Sequence, residues 1–278
     1  MRVFTATVDD PGKFVRARDE AQNLAQWLAR MTLSFEESRK DSMDTSLSWN
    51  GATKVISTPE IAANVMLQLQ LPDLILQFSE NGEPVPHAME VEGKSSAEIE
   101  AWLLVEMFHR GFDRDRFDKD LPYRWLKMMT GDEAKYSPGD VSAELQILTS
   151  YLEQAAMILQ LVGEGVERAY EGRLLRKAPI SGAVSDLLAF GPEKFDLCCS
   201  FRQFPTGQSH VIHVGFMAGD CNDPVPRFFI YLTSAERQVS SGYNFILPIN
   251  QIKDREMSSN QVVSVLTERI AEALVSER

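Results

Sequence analysis

Four short apolar runs follow one another in the last hundred residues of the chain, and one amphipathic segment closes them. The runs cover residues 195–201, 211–217, 227–233 and 244–249. They are rich in β-branched and aromatic residues, and the short turns between them are typical of antiparallel pairing. The closing segment, about residues 259–275, has apolar residues at helical spacing. This order predicts an α+β fold with an antiparallel sheet.

The first part of the chain repeats this order of elements. Residues 15–31 have a helical pattern, and two alternating runs, 65–71 and 74–78, predict a hairpin. Asn81-Gly82 is a turn signal, because both residues tolerate positive φ. Ser95 and Glu98 then form a capping box that opens a second helix, which we expect to stop at Gly111.

These patterns predict mainly antiparallel sheets that are covered by helices, in two similar helix–strands–helix halves. The halves cover residues 1–112 and 138–278, and we expect them to pack as one body. A duplicated unit and a coincidence of element order both fit this pattern. Residues 113–137 connect the halves, and aromatic residues such as Phe117, Tyr123 and Trp125 predict that the connector packs onto a neighbour.

The longest predicted helix begins at Ser137-Pro138, with the serine as cap and the proline in the first turn. Seven apolar residues then alternate at spacings of four and three, which is a heptad pattern. Gly163 and Gly165 suggest that the helix loosens there. The pattern fits either a helix that lies across a sheet or a helix–helix seam, and the second alternative includes a homodimer. The heptad residues are Val141, Leu145, Leu148, Leu152, Ala155, Leu159 and Val162.

The net charge indicates which classes of partner to expect, and the cysteine count indicates the cellular compartment. The 278-residue chain has a formal net charge of −12 and a pI of about 4.9. An acidic surface does not attract phosphate backbones or anionic lipids, so we expect neither a nucleic-acid nor a membrane partner. Three cysteines are too few for a disulfide framework, and the N-terminus lacks the apolar core of a signal peptide. We therefore predict reduced thiols and a cytoplasmic location.

Several blocks of the chain resemble a bacterial family of uncharacterised proteins that is defined only as a domain of unknown function. The blocks are 26–33, 73–82, 194–197, 209–219, 228–231 and 245–248. The family has paired tryptophans where this chain has Ser46–Lys54, and a Gly-Lys where it has Ala29-Arg30. The resemblance implies the architecture and singles out His210, at which the family also has a histidine. It implies no activity.

His210 and His213 are the first candidates for a functional site. Residues three apart on a strand point to opposite faces, so the two side chains are not expected to bind one metal ion. One alternative is that each is simply a hydrogen-bonded strand histidine. The other is a ligand pocket beside them, with Tyr231 on the neighbouring aromatic run.

The cysteines and the loop after the second run supply the remaining candidates. Cys198 and Cys199 are adjacent, which excludes a Cys-x-x-Cys pair, and we expect inert thiols. In the loop, Cys221 could pair with a histidine as a nucleophile. Asp220 and Asp223 could hold a cation, but an Asx-rich turn explains them equally, so no metal and no cofactor are predicted. The predicted ligand-binding residues are therefore His210, His213, Asp220, Cys221, Asp223 and Tyr231.

No familiar catalytic motif is present in the sequence. There is no phosphate-binding glycine loop, no Gly-x-Ser-x-Gly and no His-Glu-x-x-His. We therefore predict a non-catalytic binding or assembly module. The alternatives are an enzyme, for example a hydrolase, with a small-molecule pocket near His210, and an interaction partner that dimerises through the long helix.

Overall fold

Five helices lie within the part of the chain that the structure describes. The structure is a computed structural model, and it describes residues 2–35, 45–124, 128–169, 174–177, 188–203, 210–220, 222–234 and 243–275. The helices are α1 (Pro11–Phe35), α2 (Ser96–His109), α3 (Ser142–Ala169), α4 (Ile249–Asp254) and α5 (Ser259–Val275). The predicted capping box of α2 is confirmed, since the Ser95 and Glu98 side chains each bond to the other's backbone amide.

Twelve strands within the described residues form one sheet, and each described pairing is antiparallel. In the first part of the chain the strands are β1 (Leu47–Asn50), β2 (Val55–Ser57), β3 (Val65–Gln70), β4 (Ile75–Glu80), β5 (Glu83–Pro84) and β6 (Met89–Glu90). In the second part they are β7 (Leu174–Lys177), β8 (Ala189–Gly191), β9 (Asp196–Gln203), β10 (His210–Met217), β11 (Arg227–Ser234) and β12 (Phe245–Pro248). The predicted α+β class with antiparallel pairing is confirmed.

The sheet is continuous across the two parts of the chain because β1 pairs with β8. Leu47 lies opposite Phe190, and Ser48 lies opposite Ala189. The main path runs β12-β11-β10-β9-β8-β1-β2-β3-β4-β5, while β6 pairs with β4 and β7 with β9. Two meanders that are distant in sequence therefore share one set of backbone hydrogen bonds.

The core lies between the sheet and a layer that contains α1 and α3. Phe4 links the two sides, because its ring centroid lies 5.5 Å from that of Tyr151 in α3 and 5.8 Å from those of Phe216 and Phe228. Strand alternation places every second residue of β9, β10 and β11 on this side. We call it the helix side of the sheet, and the opposite side the outer side.

The heptad residues of α3 are buried inside the fold. Leu145, Leu148, Leu152 and Leu159 are all buried, and α3 contacts α1, α5, β9 and β10. These contacts are those of a helix laid across a sheet and packed between two other helices.

The predicted start of the long helix is confirmed in position, since helical backbone begins at Pro138 after Ser137, but the predicted cap and the predicted end are wrong. Ser137 makes no side-chain cap, because Pro138–Val141 is a short 3₁₀ turn and α3 begins only at Ser142. The helix then continues through Gly163 and Gly165 to Ala169. Glycine lowers helix propensity by only about 1 kcal/mol, which burial of residues such as Val166 offsets.

The connector lies along α1, as its aromatic residues led us to expect. Tyr123 donates a hydrogen bond from Oη to Gln26 Oε1 at 2.8 Å, and Arg30 donates from Nε to the Lys119 carbonyl at 2.9 Å. Phe117 packs against the main core, whereas Trp125 lies outside the described residues. Because the connector covers this side of α1, polar residues of the helix are buried and hydrogen-bonded.

Residues 174–177, which belong to a short basic run in the sequence, form β7 and pair with β9. The short strand β8 and the helix α4 lacked a recognisable pattern. Within the described residues, no helix is long and apolar enough to cross a membrane.

Candidate functional site

The outer side of the sheet carries a half-buried group of polar and aromatic side chains. Register places Ser200 opposite His213 and His213 opposite Tyr231, so these residues form one cross-strand row. Cys198 lies opposite Gly215, which lies opposite Phe229, in the next row. We define the outer patch as Asp196, Cys198, Ser200, His213, Phe229, Tyr231 and Tyr243.

His213 is held by both neighbouring strands. Its Nδ1 lies 2.8 Å from the Ser200 hydroxyl, and its Nε2 lies 3.0 Å from the Thr233 hydroxyl. The imidazole also stacks on the Tyr231 ring, with centroids 4.5 Å apart and planes 15° apart. A hydroxyl can donate or accept, so these contacts suit either neutral tautomer of the ring. The contacts fix the position of the imidazole on the outer side.

Three aromatic rings form the apolar part of the outer patch. Phe229 and Tyr231 are stacked with centroids 5.7 Å apart. Tyr243 lies 5.4 Å from Phe229 and 6.0 Å from Tyr231, and its ring is inclined by 71° to that of Tyr231. The two tyrosine rings therefore form a corner.

Glycines in the strands make room for these side chains. A Cβ at Gly215 would lie 2.9 Å from Phe229 Cε1 and 2.5 Å from the Leu197 carbonyl oxygen. The Phe229 ring fills the space beside the Gly215 backbone, so a ligand has no access to the backbone there. Gly191 similarly leaves room for the Asp196 carboxyl, whose Oδ1 would collide with a Cβ there.

Asp196 is the buried acid of the outer patch. Its residue surface is 9% exposed. Within the described residues no cation lies at ion-pair distance from it. Burial raises the pKa of Asp196 to about 7, although nearby Lys194 lowers it and Glu193 adds to the rise. A carboxyl in this environment changes its charge near neutral pH.

The Cys198 thiol and the hydroxyls of Tyr231 and Tyr243 stay protonated at neutral pH, because burial raises the pKa of each. Burial raises the pKa of the Tyr231 hydroxyl, and neighbouring Cys198 and Asp196 raise it further. Burial also raises the pKa of the Cys198 thiol, and Asp196 adds to that effect. A protonated thiol is a poor nucleophile, and Cys199 lies on the buried helix side.

Of the predicted site residues whose side chains the structure describes, His213 and Tyr231 meet in the outer patch, whereas Asp220 and Asp223 lie together in the turn after β10. His210 lies on β10 opposite Ser234, but its side chain is outside the described part of the molecule. Cys221 is also outside the described residues. Neither residue can therefore be assigned to a pocket.

Asp220 and Asp223 serve the turn after β10 and contact Arg227. Asp220 Oδ1 accepts from the backbone amides of Asn222 and Asp223 at 2.8 and 2.9 Å, while Oδ2 pairs with Arg227. Asp223 Oδ2 lies 3.1 Å from Arg227 Nη1. Burial acts to raise the pKa of Asp220, but these amide and guanidinium contacts outweigh burial and lower it. Within the described residues, no cluster of three or more His, Cys, Asp or Glu side chains could hold a metal ion.

Sequence reasoning missed most of the outer patch. Asp196, Ser200 and Tyr243 were not predicted, although Asp196, Cys198 and Ser200 alternate along β9 and so share one face. The alternation along β9 could have shown that these three residues lie on one face of the strand. It could not have shown that His213 lies opposite Ser200, because strand register depends on contacts between distant segments.

Three clefts that are lined by described residues lie away from the outer patch. They have volumes of about 370, 320 and 350 Å³. One lies beside Pro138 and α3, one beside Trp49 and α3, and one beside the first turns of α1 and Met129. None of them contains a predicted site residue.

Comparison with known proteins found no match: no family model fits the chain, and no curated protein or solved structure is significantly similar to it. The resemblance to the family of unknown function therefore stays a prediction. Any functional conclusion depends on the geometry of the site.

Proposed function

We propose that this protein is a non-catalytic binding or assembly module and that a small organic ligand binds to its outer patch. The observation that carries the proposal is the preformed arrangement of His213, Tyr231 and Tyr243 on a sheet face opposite the helix layer. His213 is fixed by hydroxyl contacts of 2.8 and 3.0 Å, and the tyrosine rings stand at 71° to each other. Rigid aromatic side chains give contact area at a low cost in conformational entropy.

The binding proposal predicts that small aromatic molecules bind at the outer patch. We expect p-cresol to give saturable shifts of the β10 and β11 backbone amides in NMR titrations. Tyr231→Ala should weaken this binding by about two- to tenfold, because an aromatic pair contributes about 0.5–1.5 kcal/mol. Phe108→Ala is the matched control, since it removes an exposed ring from α2. Absence of saturable shifts, or equal binding by Tyr231→Ala, would contradict the proposal.

A hydrolytic enzyme is the second candidate, because one specific contact favours it. The Ser200 hydroxyl lies 2.8 Å from His213 Nδ1, and a hydroxyl beside a base can act as a nucleophile. However, the described partner at the other ring nitrogen is the Thr233 hydroxyl, whereas triad hydrolases have a carboxylate there. Asp196 is four residues from Ser200 along β9, about 13 Å, which is too far to orient His213.

Ester hydrolysis separates the two candidates. We expect the wild-type protein to hydrolyse p-nitrophenyl acetate no faster than the Ser200→Ala variant, as the binding proposal requires. Release of p-nitrophenolate can be followed by absorbance at equal protein concentrations. A burst in the wild-type protein that disappears in Ser200→Ala would instead favour the enzyme.

Compartment and partners are further parts of the proposal. The net charge of −12 supports a protein that binds neither nucleic acid nor anionic membranes. The raised pKa of the Cys198 thiol supports reduced, inert cysteines in the cytoplasm. A homodimer would use the exposed side chains Met157 and Leu161 of α3, because the heptad leucines pack internally.

A further inference from the structure

The Asp196 carboxyl is a buried acid that lacks a cationic partner within the described residues. It lies over Gly191 on the outer side, and its surface is 9% exposed. Buried charges in proteins are normally paired, because removing an ion from water is costly. A positively charged ligand group would supply the missing partner.

The neighbouring aromatic rings are suited to the same kind of ligand. Ring faces attract cations, most strongly where water is excluded. The Tyr231 ring already has Lys194 Nζ at 5.8 Å from its centroid, and Lys194 also lowers the pKa of Asp196. The exposed lysine ammonium therefore lies where an ammonium can interact with both the ring and the acid.

We infer that the ligand of the outer patch is a small organic ammonium ion, with its charge on Asp196 and its apolar part in the corner of Tyr231 and Tyr243. The inference depends on the proposed function, and it names the class of ligand. Lys194 would be displaced when the ligand binds. The Phe229 ring, stacked on Tyr231, forms the apolar floor.

Binding of a cation at this acid depends on pH with a defined sign. Lys194 and Glu193 shift the pKa of the Asp196 carboxyl, and Arg227 lies in the same cross-strand row with Met217 between them. The carboxyl in turn shifts the pKa values of Cys198, Tyr231 and Tyr243. With a pKa of about 7, Asp196 is mostly ionised at pH 8 and mostly protonated at pH 6. Only the ionised form pairs with an ammonium, so apparent affinity should fall about tenfold from pH 8 to pH 6. Below pH 7, binding releases the Asp196 proton to solvent.

Three probes with the same phenol ring and different charges test the inference. We expect tyramine, which stays protonated over this range, to bind more tightly than p-cresol at pH 8, and 4-hydroxyphenylacetate to bind most weakly. Affinities can be measured by the NMR titration described above, at pH 6 and pH 8. If p-cresol binds as tightly as tyramine, the inference fails while the proposed function stands. If none of the three binds, the proposed function fails as well.

Two variants test the roles of the Asp196 carboxyl and of the Lys194 ammonium. Asp196→Asn should lose the preference for tyramine and its pH dependence, and it should stay folded because it removes a buried charge. At pH 8, where Asp196 is mostly ionised, Lys194→Met should bind tyramine several-fold more tightly, because the competing ammonium is gone. A pH dependence that persists in Asp196→Asn would show that a group other than Asp196 titrates and would overturn the inference. Weaker tyramine binding by Lys194→Met would also contradict it.

Discussion

Asp196→Asn is expected to stabilise the protein above pH 7 and to leave its stability nearly unchanged at pH 4. The folded protein holds the Asp196 proton up to a pKa of about 7, whereas the unfolded chain releases it near the ordinary value of 3.8. Between these values the folded state binds more protons, so the stability of the wild-type protein falls as pH rises. The difference corresponds to about 4 kcal/mol, which is an upper limit for the gain from asparagine.

Urea denaturation at pH 4 and pH 8 checks this expectation. The difference in unfolding free energy between Asp196→Asn and the wild-type protein should grow in favour of the variant with rising pH. Asp73→Asn is the matched control, because it removes the same charge from an exposed turn and should change stability by less than about 0.5 kcal/mol. An Asp196→Asn variant that is less stable than the wild-type protein at pH 8 would show that the carboxylate has a cationic partner.

The expected gain in stability also bears on function. A buried acid that destabilises the fold and that has a shifted pKa is typical of functional sites, where a ligand compensates for the cost. We therefore expect the stabilised Asp196→Asn variant to be the one that fails to distinguish tyramine from p-cresol.

Leu152→Ala is expected to lower the free energy of unfolding by about 2–5 kcal/mol, because it leaves a cavity in a fully packed core. Leu152 is 0% exposed, and α3 packs against α1, α5, β9 and β10 at once. These elements come from both parts of the chain, so loosening α3 weakens the sheet and both helices.

Met157→Ala on the same helix is the control for this measurement. Met157 is 43% exposed, so its truncation should cost less than about 0.5 kcal/mol. Both variants can be compared with the wild-type protein by urea denaturation at one pH. A loss below about 0.5 kcal/mol for Leu152→Ala would contradict the packing of α3 described above.

Local patterns in the sequence predicted those elements whose stability depends on neighbouring residues. The closing helix was predicted over 259–275 and spans Ser259–Val275. The capping box at Ser95 and the hairpin of β3 and β4 were also correct, because caps and tight turns need only residues a few positions apart. The antiparallel class followed from the short turns between strands.

Local patterns failed where distant contacts outweigh local preference. Gly163 and Gly165 suggested a helix end, but packing of α3 against α5 carries the helix to Ala169. The basic run at 174–177 lacked a strand pattern, yet it pairs with β9. In both cases contacts with distant segments stabilise the element, and a short stretch of sequence does not reveal those contacts.

Patterns in the sequence were enough to predict the α+β class, many of the strands and helices, and two members of the outer patch, His213 and Tyr231. The folded chain was needed to see that β1 joins β8, that Ser200 lies opposite His213, and that Asp196 is buried and acts on the pKa values of Tyr231 and Tyr243. Register and burial depend on hydrogen bonds and packing between segments far apart in the chain. The same residues in another register would put different side chains together on the outer side of the sheet.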